Sequence, residues 1–243
     1  MPEPFLDTST PDQPVRGFLH RSESANPDRL ILTHGAGSNC QAPLLIALAD
    51  AFCASGLTVL RCDLAFRQLR PHGPPPPKSA ERDQAGLRAA VAAMRRELGA
   101  AELVTGTPAN KSSSAGWQGR IFLGGHSYGG RQASLLATSD PQVAEALLLL
   151  SFPLHPPERP TQLRSGHFPD LKIPAFFVHG VRDGFATSDE IRTALQLIPA
   201  HTELLSVLSA GHELLSARNR KDLPQQIVQS FLAFVAAPAG PIS

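Results

Sequence analysis

The chain has almost no charge imbalance and few cysteines. Its 22 Lys and Arg residues stand against 21 Asp and Glu residues, for a formal net charge of +1, which argues against nucleic acid or a membrane as a partner. The three cysteines, Cys40, Cys53 and Cys62, show no Cys-x-x-Cys spacing and lie in or beside apolar segments. We expect small buried thiols, with a site-lining role as the alternative for Cys40 alone, and no metal or organic cofactor.

The first residues also lack the basic start and the long apolar stretch of a signal peptide, so we expect a cytoplasmic protein. Residues 1–14 are predicted to be flexible. A chain of 243 residues with 42% hydrophobic content can bury one substantial core, and we therefore expect a single domain over residues 1–243.

Short apolar runs alternate with helical stretches along the chain, which is typical of a parallel sheet buried on both faces. The pattern predicts helices over residues 43–54, 79–98, 130–138, 187–198 and 222–236. It predicts strands over residues 30–33, 57–61, 121–123, 146–151, 175–178 and 203–207, and an antiparallel edge strand over 15–20. The fold class is therefore α/β, with a doubly wound and mostly parallel sheet.

Three segments show neither the apolar runs typical of strands nor the periodicity of helices. Residues 71–78 include four consecutive prolines, which favour an extended polyproline conformation. Residues 106–119 are rich in Ser, Gly and Asn, and predict a surface loop. Residues 153–174 join two strands at the edge where α/β enzymes place substrate contacts, and we predict a short cap there.

The most informative segment is an apolar run that ends in Gly125-His126-Ser127-Tyr128-Gly129 and continues into a predicted helix. By itself the pattern Gly-x-Ser-x-Gly is weak, since ordinary glycine and serine usage produces it by chance in about one chain in ten of this size. Its place between a strand and a helix start is typical of a nucleophile elbow, a sharp turn that exposes a serine hydroxyl. We therefore predict that Ser127 is a nucleophile.

A serine hydroxyl becomes a good nucleophile when an imidazole accepts its proton and a carboxylate holds that imidazole. Asp183 and His212 each follow a predicted strand, so both are expected at the same edge of the parallel sheet as Ser127. The order nucleophile, acid, histidine selects His212 among nine histidines. Asp170 precedes its strand and Asp189 starts a helix, so Asp183 is the preferred acid.

Acyl transfer also needs two N–H donors aimed at the carbonyl oxygen as it gains negative charge. The backbone N–H of Tyr128 is one predicted donor, because it follows the nucleophile. The loop His34-Gly35-Ala36-Gly37-Ser38 is expected to supply the other, from Ala36. This loop has neither the Gly-x-Gly-x-x-Gly spacing nor the Gly-Lys-Ser/Thr ending of a nucleotide site.

Five residues near these groups are predicted substrate contacts: His34, Gly35, His126, Arg131 and His167. Arg131 has two interpretations, a bidentate contact to a substrate carboxylate or an ion pair on the surface. His167 lies in the predicted cap and has a surface role as its alternative.

The strings His34-Gly-Ala-Gly, Gly-x-Ser-x-Gly, His179-Gly-Val-Arg-Asp and Gly211-His212 together resemble the α/β-hydrolase superfamily over nearly the whole chain. The longer string Leu-Gly-Gly-His-Ser-Tyr-Gly-Gly-Arg-Gln-Ala-Ser, with Ser-Phe-Pro-Leu-His-Pro-Pro from Ser151, is similar to a dienelactone-hydrolase-like group. Animal members of that group include a subunit of a histone acetyltransferase regulatory complex. The resemblance implies about eight strands, a minimal cap and the triad Ser127, Asp183 and His212. True dienelactone hydrolases have Cys at the elbow, so dienelactone itself is not the expected substrate.

Together these features predict a serine hydrolase that acts on a small carboxylic ester or thioester through an acyl-enzyme. A protein partner remains open, because the alternative function is a non-catalytic interaction module that uses the cap face or the prolines at 74–77 as a docking surface.

Overall fold

A computed structural model describes residues 1–24, 26–105 and 119–237, without the side chains of residues 98–105. Within them, eight strands form one sheet in the order β1-β2-β4-β3-β5-β6-β7-β8. The strands are β1 (Glu3–Asp7), β2 (Val15–His20), β3 (Arg29–Thr33), β4 (Thr58–Cys62), β5 (Ile121–His126), β6 (Ala146–Leu150), β7 (Ala175–Gly180) and β8 (Thr202–Val207). Strands β3 to β8 are parallel, whereas β2 is antiparallel to both of its neighbours.

The helices are α1 (Pro43–Ala54), α2 (Ala65–Leu69), α3 (Ala80–Thr105), α4 (Tyr128–Ser139), α5 (Ser188–Leu195) and α6 (Leu223–Ala236). Local sequence explains several helix starts. A proline stands in the first turn of α1 and of α6, where its missing N–H costs no hydrogen bond. Thr187 and Glu190 form a capping box at the start of α5, since each side chain binds the other's backbone N–H.

Helices cover both faces of the sheet, because alternate residues of a buried strand point to opposite sides. Along β6, Leu147 and Leu149 pack in one core with α3, α4 and α5, whereas Leu148 and Leu150 pack in the other with α1 and α6. All five residues of β6 are buried. The predicted α/β class, with a doubly wound and mostly parallel sheet in a single domain, is confirmed.

The structure corrects three details of the prediction. Residues 1–14 are not flexible throughout, since β1 pairs with β2 along its whole length. Consequently β2 lies inside the sheet, between β1 and β4, and is not the predicted edge strand. Residues 65–69, for which no helix was predicted, form α2. The loop predicted at 106–119 lies outside the described residues except for Gly119.

Residues 153–174, the predicted cap, contain one short 3-10 helix at Phe168–Asp170 and otherwise no regular structure. Cys40 and Cys62 are buried and Cys53 is partly buried, all three as free thiols. Across the described residues, every helix is too short or too polar to cross a bilayer.

The aromatic cluster under α6 generates a stability prediction. Phe231 is fully buried, and its ring lies 5.3 to 6.1 Å from those of Phe122, Phe52 and Phe176. Phe231→Ala should lower the free energy of unfolding by about 3 to 5 kcal/mol, because it leaves a cavity that the sheet cannot close. Urea unfolding measures the loss, and Leu208→Ala at an exposed position should change it by less than about 0.5 kcal/mol. Equal effects of the two changes would contradict the packing.

Candidate active site

Ser127 lies on a strained turn between β5 and α4. Its backbone has φ 51° and ψ −114°, a conformation that side chains other than glycine rarely adopt. The Ser127 N–H donates to the Leu150 carbonyl at 2.8 Å. A Cβ at Gly125 or Gly129 would come within 2.7 Å of neighbouring atoms, so the turn can close only because both positions lack a side chain. This is the predicted elbow.

Three side chains from different loops meet at this turn. His212 Nε2 lies 2.8 Å from Ser127 Oγ, and His212 Nδ1 lies 3.0 and 2.9 Å from the two carboxylate oxygens of Asp183. In the neutral ring Nδ1–H therefore donates to Asp183, and Nε2 accepts from the serine hydroxyl. The structure thus brings together Ser127, Asp183 and His212, the three residues that the sequence analysis grouped. The alternative acids, Asp170 and Asp189, are exposed elsewhere.

The Asp183 carboxylate is buried but well supplied with donors. Burial raises its pKa, but hydrogen bonds from His212 and from the Phe185 N–H at 2.9 Å outweigh that effect, so the pKa lies below the usual value. Asp183 is therefore ionised at neutral pH and holds the ring of His212 in one orientation. Phe185 also stacks on the His212 ring at 4.1 Å between centroids.

His126, predicted as a substrate contact, is buried behind these three side chains. Its Nε2–H donates to the backbone carbonyl of His212 at 2.8 Å. Burial lowers the pKa of His126, so the ring is neutral and its Nδ1 carries no proton. A Cβ at Gly35 would lie 3.1 Å from that Nδ1 and 3.5 Å from Ser127 Cβ. His126 and Gly35 therefore support the backbone around Ser127 and His212.

A cavity of about 420 Å³ opens directly above Ser127. Ala36 and Tyr128, the predicted oxyanion-hole residues, both line it. Within the described part of the chain, neither the Ala36 N–H nor the Tyr128 N–H donates to another residue, so both are available to a ligand. The residues of the described chain that line it are Ala36, Pro74, Pro75, Ser127, Tyr128, Arg131, Pro153, Arg164 and Phe185.

His34 is fully buried beneath the loop that carries Ala36. Its Nδ1–H donates to the Gly35 carbonyl at 2.8 Å, and its Nε2 accepts from the Leu64 N–H at 3.1 Å. Both ring nitrogens are thus occupied by backbone groups. His34 has no surface from which to touch a substrate, and here the structure departs from the prediction.

Arg67 fixes the same loop from the other side. This buried guanidinium donates to the carbonyls of Ser38 and Ala36 at 2.7 and 2.8 Å, and to those of Arg70 and Gly73 at 3.0 Å each. One side chain thus connects the loop of Ala36 to the segment that leads into the prolines at 74 and 75.

The side chain of Tyr128 is anchored behind the elbow. Its hydroxyl donates to Asp83 Oδ2 at 2.8 Å and lies 3.2 Å from Ser79 Oγ. The other oxygen of Asp83 accepts from the Phe66 N–H at 2.8 Å. Asp83 is fully buried, and both of its carboxylate oxygens have hydrogen-bond partners. Through these bonds it connects α3 to α2 and to the first residue of α4.

The two remaining predicted contacts differ in position. Arg131 lines the cavity, and its Nε is buried without a hydrogen-bond partner among the described residues. The surface ion pair considered as the alternative is not formed there. His167 Nε2 instead lies 2.8 Å from Ser134 Oγ, and His167 is not part of the cavity lining.

Sequence reasoning missed four residues that shape this site: Arg67, Asp83, Arg164 and Phe185. Phe185 had a usable signal, because it stands two residues after the predicted acid on the same tight loop. The others come from separate segments and act through tertiary contacts that no local pattern records. In the described residues no group of three metal-ligating side chains is assembled.

Comparison with known proteins shows the family to which this fold belongs. The profile of a family described as an alpha/beta hydrolase domain matches residues 26–237. The chain therefore belongs to the alpha/beta hydrolases.

Solved structures share the fold over nearly the whole chain. An alpha-beta serine hydrolase homologue from Coxiella burnetii has a TM-score of 0.69 at 17% identity, covering 94% of this chain and 96% of that one. A dienelactone hydrolase from Anabaena variabilis has a TM-score of 0.60 at 19% identity, with 96% and 98% covered. A serine hydrolase without lid from Xanthomonas campestris has a TM-score of 0.66 at 14% identity, with 98% and 96% covered. At such identities the likeness concerns the fold.

The buried state of His34 predicts a pH dependence of stability. Burial lowers the pKa of His34 from 6.5 to about 4. Between these values the unfolded chain binds more protons than the folded one, so the free energy of unfolding falls as the pH falls from 6.5 to 4. The full shift corresponds to about 3 kcal/mol. His34→Gln should therefore lose less stability between pH 7 and pH 4 than the unchanged protein, as measured by urea unfolding.

His167, whose pKa is also lowered to about 4 by burial and by the charge of Arg131, adds to the fall in the same window. His72→Gln, at an exposed position, is the control and should keep the full fall. Parallel curves for His34→Gln and the unchanged protein would show that His34 is not held neutral.

Proposed function

We propose that this protein is a serine hydrolase that cleaves a carboxylic ester or thioester through an acyl-enzyme on Ser127. The observation that carries the proposal is the 2.8 Å contact between Ser127 Oγ and His212 Nε2, in a ring whose Nδ1 is held by Asp183. This arrangement removes a proton from a hydroxyl without a metal or an organic cofactor.

In the first half of the reaction Ser127 Oγ attacks the carbonyl carbon of the substrate, and its proton passes to His212 Nε2. The negative charge that develops on the carbonyl oxygen is met by the N–H groups of Ala36 and Tyr128. His212 then gives its proton to the leaving alcohol or thiol as the C–O or C–S bond breaks. Asp183 stabilises the imidazolium that exists between the two transfers.

In the second half a water molecule attacks the acyl carbon of the Ser127 ester. His212 accepts a proton from that water and returns it to Ser127 Oγ, so the acid product leaves and the enzyme is regenerated. The cavity of about 420 Å³ fits a small acyl group better than an extended peptide. The dienelactone hydrolase among the structural neighbours is named for a lactone, which is a cyclic ester, and this agrees with the proposed reaction class.

The alternative role as a non-catalytic interaction module rests on the prolines at 74–77. Two of them, Pro74 and Pro75, line the cavity above Ser127, which gives them a place in a substrate-binding wall. The relationship to the histone acetyltransferase complex subunit remains a prediction from sequence, as does a cytoplasmic location. A small-molecule substrate is the partner that we propose.

Ser127→Ala should reduce turnover of a 4-nitrophenyl ester by about 10⁵ to 10⁶-fold, since no other group can form the acyl-enzyme. A fluorophosphonate probe should label Ser127 of the unchanged protein, as located by peptide mass spectrometry, and the label should be absent from Ser127→Ala and His212→Ala. A folded, unlabelled protein, or a loss of turnover below tenfold, would reject the proposal.

Asp183→Asn should lower kcat by about 10⁴-fold, because an amide can hold the ring of His212 in the wrong tautomer and cannot stabilise its cation. Steady-state kinetics with the same ester measure the loss. Asp189→Asn is the matched control, since Asp189 is exposed at the start of α5, and it should retain normal turnover. If both variants kept normal turnover, Asp183 would have no part in the reaction.

A further inference from the structure

Among the described residues that line the cavity above Ser127, two are charged, Arg131 and Arg164. Arg131 comes from the first turns of α4, and Arg164 comes from the irregular segment between β6 and β7. We propose that these two guanidinium groups bind a carboxylate carried by the substrate, which makes the substrate an ester or thioester with a second, anionic end. This inference rests on the proposed function and adds the substrate class.

Neither arginine has a counter-ion in the part of the chain that the structure describes. Arg131 Nε is buried there without any hydrogen-bond partner. Arg164 makes one long hydrogen bond, 3.4 Å, from Nη1 to the Pro153 carbonyl. Two other arginines with restricted exposure do have partners: Arg120 pairs with Asp28, and the buried Arg67 donates to four carbonyls. Of these four arginines, the two with neither a counter-ion nor several hydrogen bonds are therefore the two that line the cavity at Ser127.

The two positive charges are close enough to affect one another. Burial lowers the pKa of both arginines, and the charge of Arg131 lowers that of Arg164 further. His167, next to Arg131, is kept neutral by burial and by the same charge. Partial burial of two like charges is unfavourable unless an anion joins them. A carboxylate would accept hydrogen bonds from both guanidinium groups and remove the repulsion.

The position of Arg131 limits the length of the substrate. Arg131 lies four residues after Ser127, and its N–H donates to the Ser127 carbonyl at 3.0 Å. Both residues also line the same cavity of about 420 Å³. A carboxylate bound there is separated from the carbonyl under attack by only a few bonds, so we expect a short acyl chain that ends in a carboxylate.

Two chromogenic esters of equal length test this inference. Mono-4-nitrophenyl adipate and 4-nitrophenyl hexanoate have the same leaving group and the same number of acyl carbons, but only the adipate ester ends in a carboxylate. The measured quantity is the ratio of kcat/KM for the adipate ester to kcat/KM for the hexanoate ester. We expect a ratio of about ten or more for the unchanged protein.

Arg131→Gln and Arg164→Gln should each bring this ratio close to one. Arg159→Gln is the matched control, because Arg159 lies in the same irregular segment as Arg164 but is exposed and outside the cavity lining. It should keep the ratio of the unchanged protein. A ratio near one for the unchanged protein, with Ser127-dependent hydrolysis of both esters, would overturn the inference and leave the proposed function intact.

If neither ester is hydrolysed, the proposed function fails, and calorimetric titration with adipate still decides the binding site. Adipate binding that Arg164→Gln weakens about tenfold, and that Arg159→Gln leaves unchanged, would support the carboxylate site. Absence of adipate binding would overturn it. A second titration with inorganic phosphate compares the two anions. Binding of phosphate without binding of adipate would overturn a site for carboxylates.

Discussion

The close approach of β5 and the start of α4 to the end of β3 is the constraint on which the site depends. Ser127 holds a positive φ, and the strain is tolerated because Gly125 and Gly129 allow backbone and side-chain atoms to pack where a Cβ would collide. Gly129 faces Thr33 and the carbonyl of His34. The turn at Ser127 and the loop that carries Ala36 are therefore held against one another by the sheet itself, so two parts of the site share one rigid support.

Buried polar groups complete this support. Asp83 holds the Tyr128 hydroxyl, His126 holds the His212 carbonyl, and His34 holds the loop before Ala36. Each of these groups has hydrogen-bond partners in the backbone or in other side chains. These hydrogen bonds offset the free-energy cost of burying the group and hold it in one orientation. These three buried groups lie around the site, and among the described residues the two arginines of the cavity wall have no counter-ion.

Much of this arrangement could be read from the sequence, for physical reasons that differ between residues. Ser127 stands in a local pattern whose glycines have a steric purpose, and Asp183 and His212 follow apolar runs that had to end at the same edge of a parallel sheet. Arg67, Asp83 and Arg164 carry no such pattern, because their roles arise from contacts with distant segments. His34 looked like a site residue from its place in the loop, but its ring turns inward to backbone partners. The strand at Glu3–Asp7 was missed since its pairing with Val15–His20, more than its own residues, stabilises it.

Arg67 gives the cavity an unusual mechanical property. Its Nη2 donates both to the Ala36 carbonyl and to the Gly73 carbonyl, so the wall formed by Pro74 and Pro75 and the loop of Ala36 share one anchor. A bulky acyl group that pushes the proline wall outward would displace the Arg67 guanidinium, which also holds the loop of Ala36. The proline wall and the loop of Ala36 would then move as one unit. A large substrate would therefore displace the loop of Ala36 and lower the rate of the chemical step.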